Sequence, residues 1–293
     1  MISGFTIVRN AIKLDYPIIP AIRSILDICD EVVVNVGKSD DDTRDLVASI
    51  GDPRVRILDT VWDFSQAGEL LGIETQRAMD ACRGHWGVYI QADEVLHESG
   101  ARILKERVAE WDGDARVEGL LVRYLHFWGN FETLATTRRW YRREVRCVRL
   151  GRGGGRGHDI RSYQGAQGFR VGPELRKIRA RLTDATMFHY GWARPTWAIS
   201  EKYESAQIIF PWSRERSAAA QAGGTLGWMP LLRRFTGTHP RAAQPWIAAR
   251  AGEAMPALGP ARFRLGFLRY YLSDWIERLT GARVFEFRNY VEV

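Results

Sequence analysis

Gly84-His85-Trp86-Gly87-Val88-Tyr89-Ile90-Gln91-Ala92-Asp93-Glu94 is the stretch on which the fold turns. Val88 to Gln91 reads as an apolar strand that stops abruptly in Ala-Asp-Glu, so two carboxylates are delivered to the strand's carboxyl end. Working back from it, Thr75 to Cys82 has a helical pattern, Val55 to Leu58 a strand pattern, and Thr43 to Ile50 a helix behind an Asp-rich turn. Glu31 to Val36 is another strand, and Phe5, Ile7 and Val8 form the first. Between these two, Asp15 is placed as an N-cap, Pro17 in a first turn, and Ile18, Ile22, Ile25 and Leu26 at helical spacing. Near-continuous apolar strands alternating with helices predict an α/β fold with a mostly parallel sheet covered on both faces. In such sheets ligands bind at the carboxyl ends of the strands.

Forward from the same stretch, Glu98 to Trp111 reads as a helix. The character then changes. Leu120 to Tyr124 and Val145 to Val148 read as strands of a more antiparallel region, separated by the aromatic segment His126-Phe127-Trp128-Gly129-Asn130-Phe131. Gly151 to Gly157 contains only Gly and Arg and must be a loop. From about Ala218 onward, Gly and Pro punctuate short helical patterns, and Leu265 to Leu279 forms a last helix with Leu268, Tyr271, Leu272, Trp275 and Leu279 on one face. The expected organisation is residues 1–125 and 126–215 as the two halves of one core and residues 216–293 as a helical extension.

A chain of 293 residues with 45% hydrophobic residues can bury a full core. Cys29, Cys82 and Cys147 are an odd number at wide spacing, which argues against a disulfide framework or a zinc knuckle and for a reducing, cytoplasmic setting. No apolar run is long enough to cross a membrane, so the protein is expected to be soluble or at most peripheral to the inner face of the membrane. The net charge of +7 conceals a polarity: residues 1–115 hold 12 Lys+Arg against 21 Asp+Glu, and the remainder 30 against 14. An acid-rich half can hold a divalent cation, and an arginine-rich half can bind phosphates or anionic lipid heads. The Gly/Arg loop alone is a poor case for nucleic acid, because no RNA-binding module accompanies it. The amphipathic last helix fits either docking onto the core or resting on an anionic membrane near a lipid-linked acceptor, with docking the expected use.

The chemistry-bearing candidates follow from the sheet. Asp93 and Glu94 at a strand end can bind a hard cation that also bridges a diphosphate, although such acids also serve as helix caps. Gly37-Lys38-Ser39-Asp40-Asp41-Asp42-Thr43 sends a second acidic turn to the same edge, where Asp side chains can accept from a nucleobase or ribose; Asp42 would also cap the next helix. For a general base in the second half, Asp159 beside His158 is favoured and Glu144 is next. The stretch Arg138 to Arg161 holds nine arginines that could clamp a diphosphate.

Three stretches in order, Ile7-Val8-Arg9-Asn10, Gly37 to Thr43 and Gly84 to Glu94, resemble the family-2 glycosyltransferases with the GT-A fold. The resemblance covers about the first 125 residues. Beyond them it narrows to bacterial members through Trp140-Tyr141-Arg142-Arg143-Glu144, Ala166-Gln167-Gly168-Phe169-Arg170, His189-Tyr190-Gly191-Trp192 and Gly237-Thr238-His239-Pro240. It implies a GT-A-like fold and transfer of a sugar from a UDP- or GDP-sugar to a saccharide, lipid-linked or other cell-envelope acceptor, with inversion and with Mn²⁺ or Mg²⁺. It also implies that Asp93 reaches metal and diphosphate, that His189 is a further metal or phosphate ligand, that Arg9, Asn10 and Asp40 to Asp42 line the nucleoside, and that Gln76 and Gln91 join them in binding the nucleotide-sugar. Three positions depart from the pattern: Gln91 replaces the first acid of the Asp-x-Asp motif, Thr75-Gln76 replaces an Arg-Asn pair, and Gly165 stands where members often have an acid. The alternative reading is a non-catalytic nucleotide-binding or scaffold protein on the same fold.

Overall fold

The computed structural model describes residues 1–151, 158–163, 168–209, 225–260, 264–286 and 288–293. The Gly/Arg stretch at 152–157 and Gly165-Ala166-Gln167 lie outside the described residues.

The first half alternates as its apolar pattern requires: β1 (Ile2–Val8), α1 (Ile18–Leu26), β2 (Glu31–Gly37), α2 (Thr43–Ala48), β3 (Val55–Thr60), α3 (Leu70–Asp80) and β4 (Trp86–Tyr89). Strands β1 and β2 are buried along their whole length, as a parallel sheet with helices on its faces demands. A short β5 (Glu94–Leu96), α4 (Glu98–Trp111) and β6 (Gly119–Trp128) follow, then β7 (Thr133–Ala135), β8 (Arg143–Arg149), β9 (Ile160–Tyr163), β10 (Gly168–Val171), β11 (Arg176–Trp192) and α5 (Thr196–Ile209). The remainder contains β12 (Thr225–Leu226), β13 (Leu232–Arg234), α6 (Gln244–Ala248), β14 (Ala257–Leu258), α7 (Leu268–Thr280) and β15 (Tyr290–Glu292).

The main sheet runs β3-β2-β1-β4-β8-β6-β11-β10-β9. The pairs β1–β2, β2–β3, β1–β4 and β6–β11 are parallel, and β8 is inserted antiparallel to both β4 and β6. The two expected halves therefore share one mixed sheet, with the carboxyl ends of β1, β2, β4, β6 and β11 along one rim. Their apolar faces close two large clusters, one around Ile18, Ile22 and Val32, the other around Phe5, Tyr89 and Phe169. All three cysteines are buried and none is joined in a disulfide.

Three expectations change. His126 to Trp128 do not separate two strands but continue β6, because β11 extends alongside and pairs His189 with His126 and Trp192 with Trp128. The C-terminal region is not simply helical: β13 pairs with β7, and β15 joins the main sheet parallel to β11. The last helix, α7, does not bury its apolar face. Leu268, Leu272, Trp275 and Leu279 are all more than half exposed, whereas Ser273 on the opposite side is buried.

Candidate active site

Residue Asp93 is placed by a small piece of sheet. After β4 the chain turns at once into β5, which pairs antiparallel with Met187–His189 of β11. The pairing draws Asp93 to the carboxyl end of β11, where its carbonyl accepts from the Tyr190 amide at 2.8 Å. Asp93 Oδ2 then faces His189 Nε2 at 3.6 Å and Lys202 Nζ, from α5, also at 3.6 Å. Burial by itself would raise the Asp93 carboxyl, but His189, Lys202 and Arg194 together hold it well below the usual carboxylate range, so it is ionised.

The space between Asp93 and His189 exists because residue 191 is glycine. A Cβ there would come within 2.6 Å of both Asp93 Oδ2 and His189 Nε2. The carbonyl of Gly191 accepts from Lys202 Nζ and from Arg194 Nη2, both at 2.8 Å. Burial, and then Arg194, push the Lys202 ammonium down to about 7 against the pull of Asp93. Arg194 is fully buried, stacks 4.6 Å over the Tyr16 ring and donates to the Leu14 carbonyl. It thereby ties the β1–α1 loop to the Asp93 turn.

A histidine pair fixes which nitrogen faces Asp93. His126 Nε2 lies 2.6 Å from the Tyr141 carbonyl, which can only accept, so that nitrogen carries the proton. Burial and neighbouring His189 hold the His126 ring neutral by lowering its pKa well below the ordinary value. Its Nδ1 is then an acceptor, and His189 Nδ1, at 3.1 Å, must donate to it. With Nδ1 committed to His126, Nε2 is the His189 nitrogen that faces Asp93 Oδ2, and a cation bound there in place of a proton would meet its lone pair. A carboxylate oxygen and an imidazole nitrogen 3.6 Å apart, set in a glycine cradle, form a donor pair that would fit a divalent cation whose other ligands come from phosphate and water. The His126 bond supplies the outer support that metal-binding histidines use. Among the described residues there is no group of three or more His, Cys, Asp or Glu side chains that could hold a metal alone.

The second acidic turn lies on the same rim, one strand beyond β1. Asn10, in the left-handed region with φ of 54°, donates Nδ2 to Asp40 at 3.0 Å and accepts from the Asp40 amide at 2.8 Å. Arg9 donates to Asp40 at 2.9 Å and to the Lys38 carbonyl at 2.8 Å, and its guanidinium lies 5.0 Å over Phe64. Asn10, and then Arg9, lower the Asp40 carboxyl below its usual range. Asp42 stands ahead of α2 without a side-chain cap bond; Asp41 takes that role, accepting from the Thr43 and Lys13 amides.

The sequence-derived candidates thus separate. Arg9, Asn10, Asp40, Asp93 and His189 are brought to one rim, linked through the β1–α1 loop. Glu94 is not available to a cation as expected. It is fully buried with both oxygens taken by Arg146 Nε and Nη2 at 3.0 and 2.9 Å, with Tyr124 adding a bond at 2.7 Å. Gln91 holds Glu94 through its backbone amide and hydrogen-bonds Tyr89 with its side chain. Gln76 is turned to β9, where it accepts from the Ser162 amide at 2.8 Å, and does not reach the rim.

Neither base candidate joins Asp93. Asp159 pairs with Arg161, and adjoining His158 contacts Glu118 just before β6. That is the amino edge of the sheet, whereas His126 and His189 lie at the carboxyl edge, roughly 25 Å along the strand. Glu144 is buried beside Arg146 and Arg170; burial raises its carboxyl to about 7, and it accepts from the Val145 amide.

Sequence reasoning missed Lys202, Arg194 and His126. Lys202 carried a weak signal as one of five lysines in a chain whose cations are otherwise arginine. His126 carried none, since only the β6–β11 register sets it against His189.

No protein-family model matches the sequence, and no curated protein matches it. Among solved structures, the chain is similar to S. aureus TarS 1-349 in complex with UDP-GlcNAc at 17% identity and a TM-score of 0.35, covering 43% of this chain and 35% of that one. It is also similar to glucosyl-3-phosphoglycerate synthase from Mycobacterium tuberculosis, in complex with Mn²⁺, UDP and glucosyl-3-phosphoglycerate, at 21% identity and a TM-score of 0.31, covering 44% and 45% of the two chains. The chain thus spans less than half the length of either. With parallel strands on both sides of one antiparallel insertion and helices on the faces, the chain has the mixed α/β sheet that its sequence pattern predicted.

Proposed function

We propose that the chain is a glycosyltransferase that moves a sugar from a UDP- or GDP-sugar to a saccharide or cell-envelope acceptor, with inversion. The observation that carries this reading is the meeting of Asp93 with His189 Nε2 in the Gly191 cradle, beside the buried cations Lys202 and Arg194. Mn²⁺ or Mg²⁺ held by Asp93 and His189 would neutralise charge on the departing diphosphate. Lys202 supplies a second positive group aimed at the same oxygens, and Arg194 fixes the turn that presents them. Arg9, Asn10 and the Asp40 turn bound the nucleoside end, with Asp40 Oδ2 held by two donors and Oδ1 left to accept from a ligand. The arrangement is preorganised, because Arg9, Asn10, Asp40, His189, Lys202 and Arg194 are each hydrogen-bonded to backbone or to another side chain before a donor arrives.

The test is calorimetry and thermal melting with UDP and GDP, each with and without Mn²⁺. The expected result is a rise in Tm with nucleotide plus Mn²⁺ that Asp93→Ala removes. Absence of a shift with either nucleotide would overturn the reading.

One observation favours a second reading, a nucleotide-binding protein without transferase activity: Glu94 is spent on Arg146 and Gln91 carries no charge, so Asp93 is the one free acid of its motif. Detection of UDP-sugar transfer or hydrolysis rejects that alternative.

A further inference from the structure

Helix α7 is built inside out. Its two acids, Asp274 and Glu277, point at the core, where Arg233 meets Asp274 at 2.9 Å and Arg142 and Arg283 meet Glu277 at 2.7 and 3.2 Å. Ser273 between them is buried. The apolar side faces away: Leu265, Leu268, Tyr271, Leu272, Trp275 and Leu279 are 37–79% exposed. These residues recur at helical spacing and form one stripe about 20 Å long. An ordinary surface helix buries that stripe and shows its charges to water. This one hydrogen-bonds its charges to the protein and shows the stripe, which marks an interaction surface.

We propose that this stripe docks onto an anionic lipid bilayer. The charge pattern selects that occupant. Arg269 and Arg278 flank the stripe on its two sides and are exposed, Arg278 also reaching back to Asp274 at 2.7 Å, while both acids of the helix are engaged by core arginines. What is left outside is leucine and aromatic residues edged by arginine, the composition of a helix lying in the plane of a bilayer with its cations at the headgroups. A second copy of the chain fits less well, because two-fold pairing of the stripe would set arginine edges against each other with no exposed helix acid to answer them. A pocket of about 280 Å³ lies between the core-facing side of α7 and the core, lined by His126, Asp274 and Glu277 among others, so the stripe lies on the far side of the helix from it. The inference stands apart from the glycosyltransferase reading and does not need it.

Co-flotation of the full chain with vesicles tests it. Vesicles of phosphatidylcholine mixed with phosphatidylglycerol should carry the protein up, and vesicles of phosphatidylcholine alone should do so weakly. Arg269→Glu and Arg278→Glu should each weaken binding at least about fivefold. Leu272→Ser combined with Trp275→Ser should weaken it on the order of a hundredfold. Arg269, Leu272 and Trp275 are exposed, so their variants should keep the wild-type far-ultraviolet circular dichroism and melting temperature with the UDP response unchanged; Arg278→Glu also gives up the ion pair with Asp274, so its binding is measured well below its own melting temperature. Equal binding to both vesicle types would overturn the charge argument. Failure to float, with a monomer in sedimentation, would overturn the proposal. Failure to float with a dimer that the serine variant dissociates would assign the stripe to a second copy instead.

Discussion

Two acids at opposite edges of the same sheet stand among basic groups, and they are treated differently. At the amino edge Glu118 is fully buried and saturated: Arg176 donates at 2.5 and 2.8 Å, and Arg179 adds its side chain and its amide, both at 2.9 Å. At the carboxyl rim Asp93 meets its cations only at 3.6 Å, in a space kept open by glycine. Short bonds close the first cluster and leave no lone pair for a ligand. The second holds charge in position without quenching it, which is the arrangement that stabilises a developing charge elsewhere. The count of nearby opposite charges is alike in the two places, so the distances separate a brace from a site.

The sharpest way to break this contrast is Asp93→Ala, expected to lower sugar transfer by about 10²–10³-fold while leaving the melting temperature of the ligand-free protein near the wild-type value. A large fall in melting temperature with activity retained would place Asp93 with the braces. Next in size, His126→Phe removes the acceptor that fixes His189. Mn²⁺ affinity in the presence of UDP, followed by titration calorimetry, should weaken about 10–100-fold.

For the brace, Glu118→Ala should cost about 1–2 kcal/mol in denaturant unfolding, less than a fully buried pair, because Arg176 and Arg179 are nearly half exposed and regain water. Nucleotide binding should not change. The same carboxyl predicts a pH signature. Burial alone would raise it, but Arg176 and Arg179 bring it down to about 2 from an ordinary 4.5, so its contribution is present above the unfolded value and is lost as pH falls from about 4.5 to about 2. Glu118→Gln should flatten that part of the stability profile. The smallest effect is expected from Asp159→Asn. With its carboxylate on the amino edge and paired to exposed Arg161, the change should leave transfer intact and stability within about 0.5 kcal/mol. A hundredfold loss of transfer would restore Asp159 as the base.

Legibility followed the range of the interactions. Ile18–Leu26 and Glu98–Trp111 match the helices read from periodicity, since a helix is set by residues three and four apart. The rim position of Asp93 and of the Asp40 turn was readable too, because a parallel strand that ends in acids has one place to present them. The α7 stripe was visible as a pattern, but its direction was not. Amphipathicity says that a helix has two sides, and arginines at 142, 233 and 283, distant in the chain, decided which side turned inward.

The sequence by itself determined the alternation of strands and helices, the edge at which ligands would sit and the identity of Asp93 and His189 as candidates. Only the tertiary structure decided that neighbouring Glu94 belongs to Arg146, that His126 orients His189, and that Lys202 enters the site while Asp159 stays out. The physical reason is that side-chain chemistry is local, whereas availability depends on whether a partner from another strand reaches bonding distance, and that is settled by register and packing.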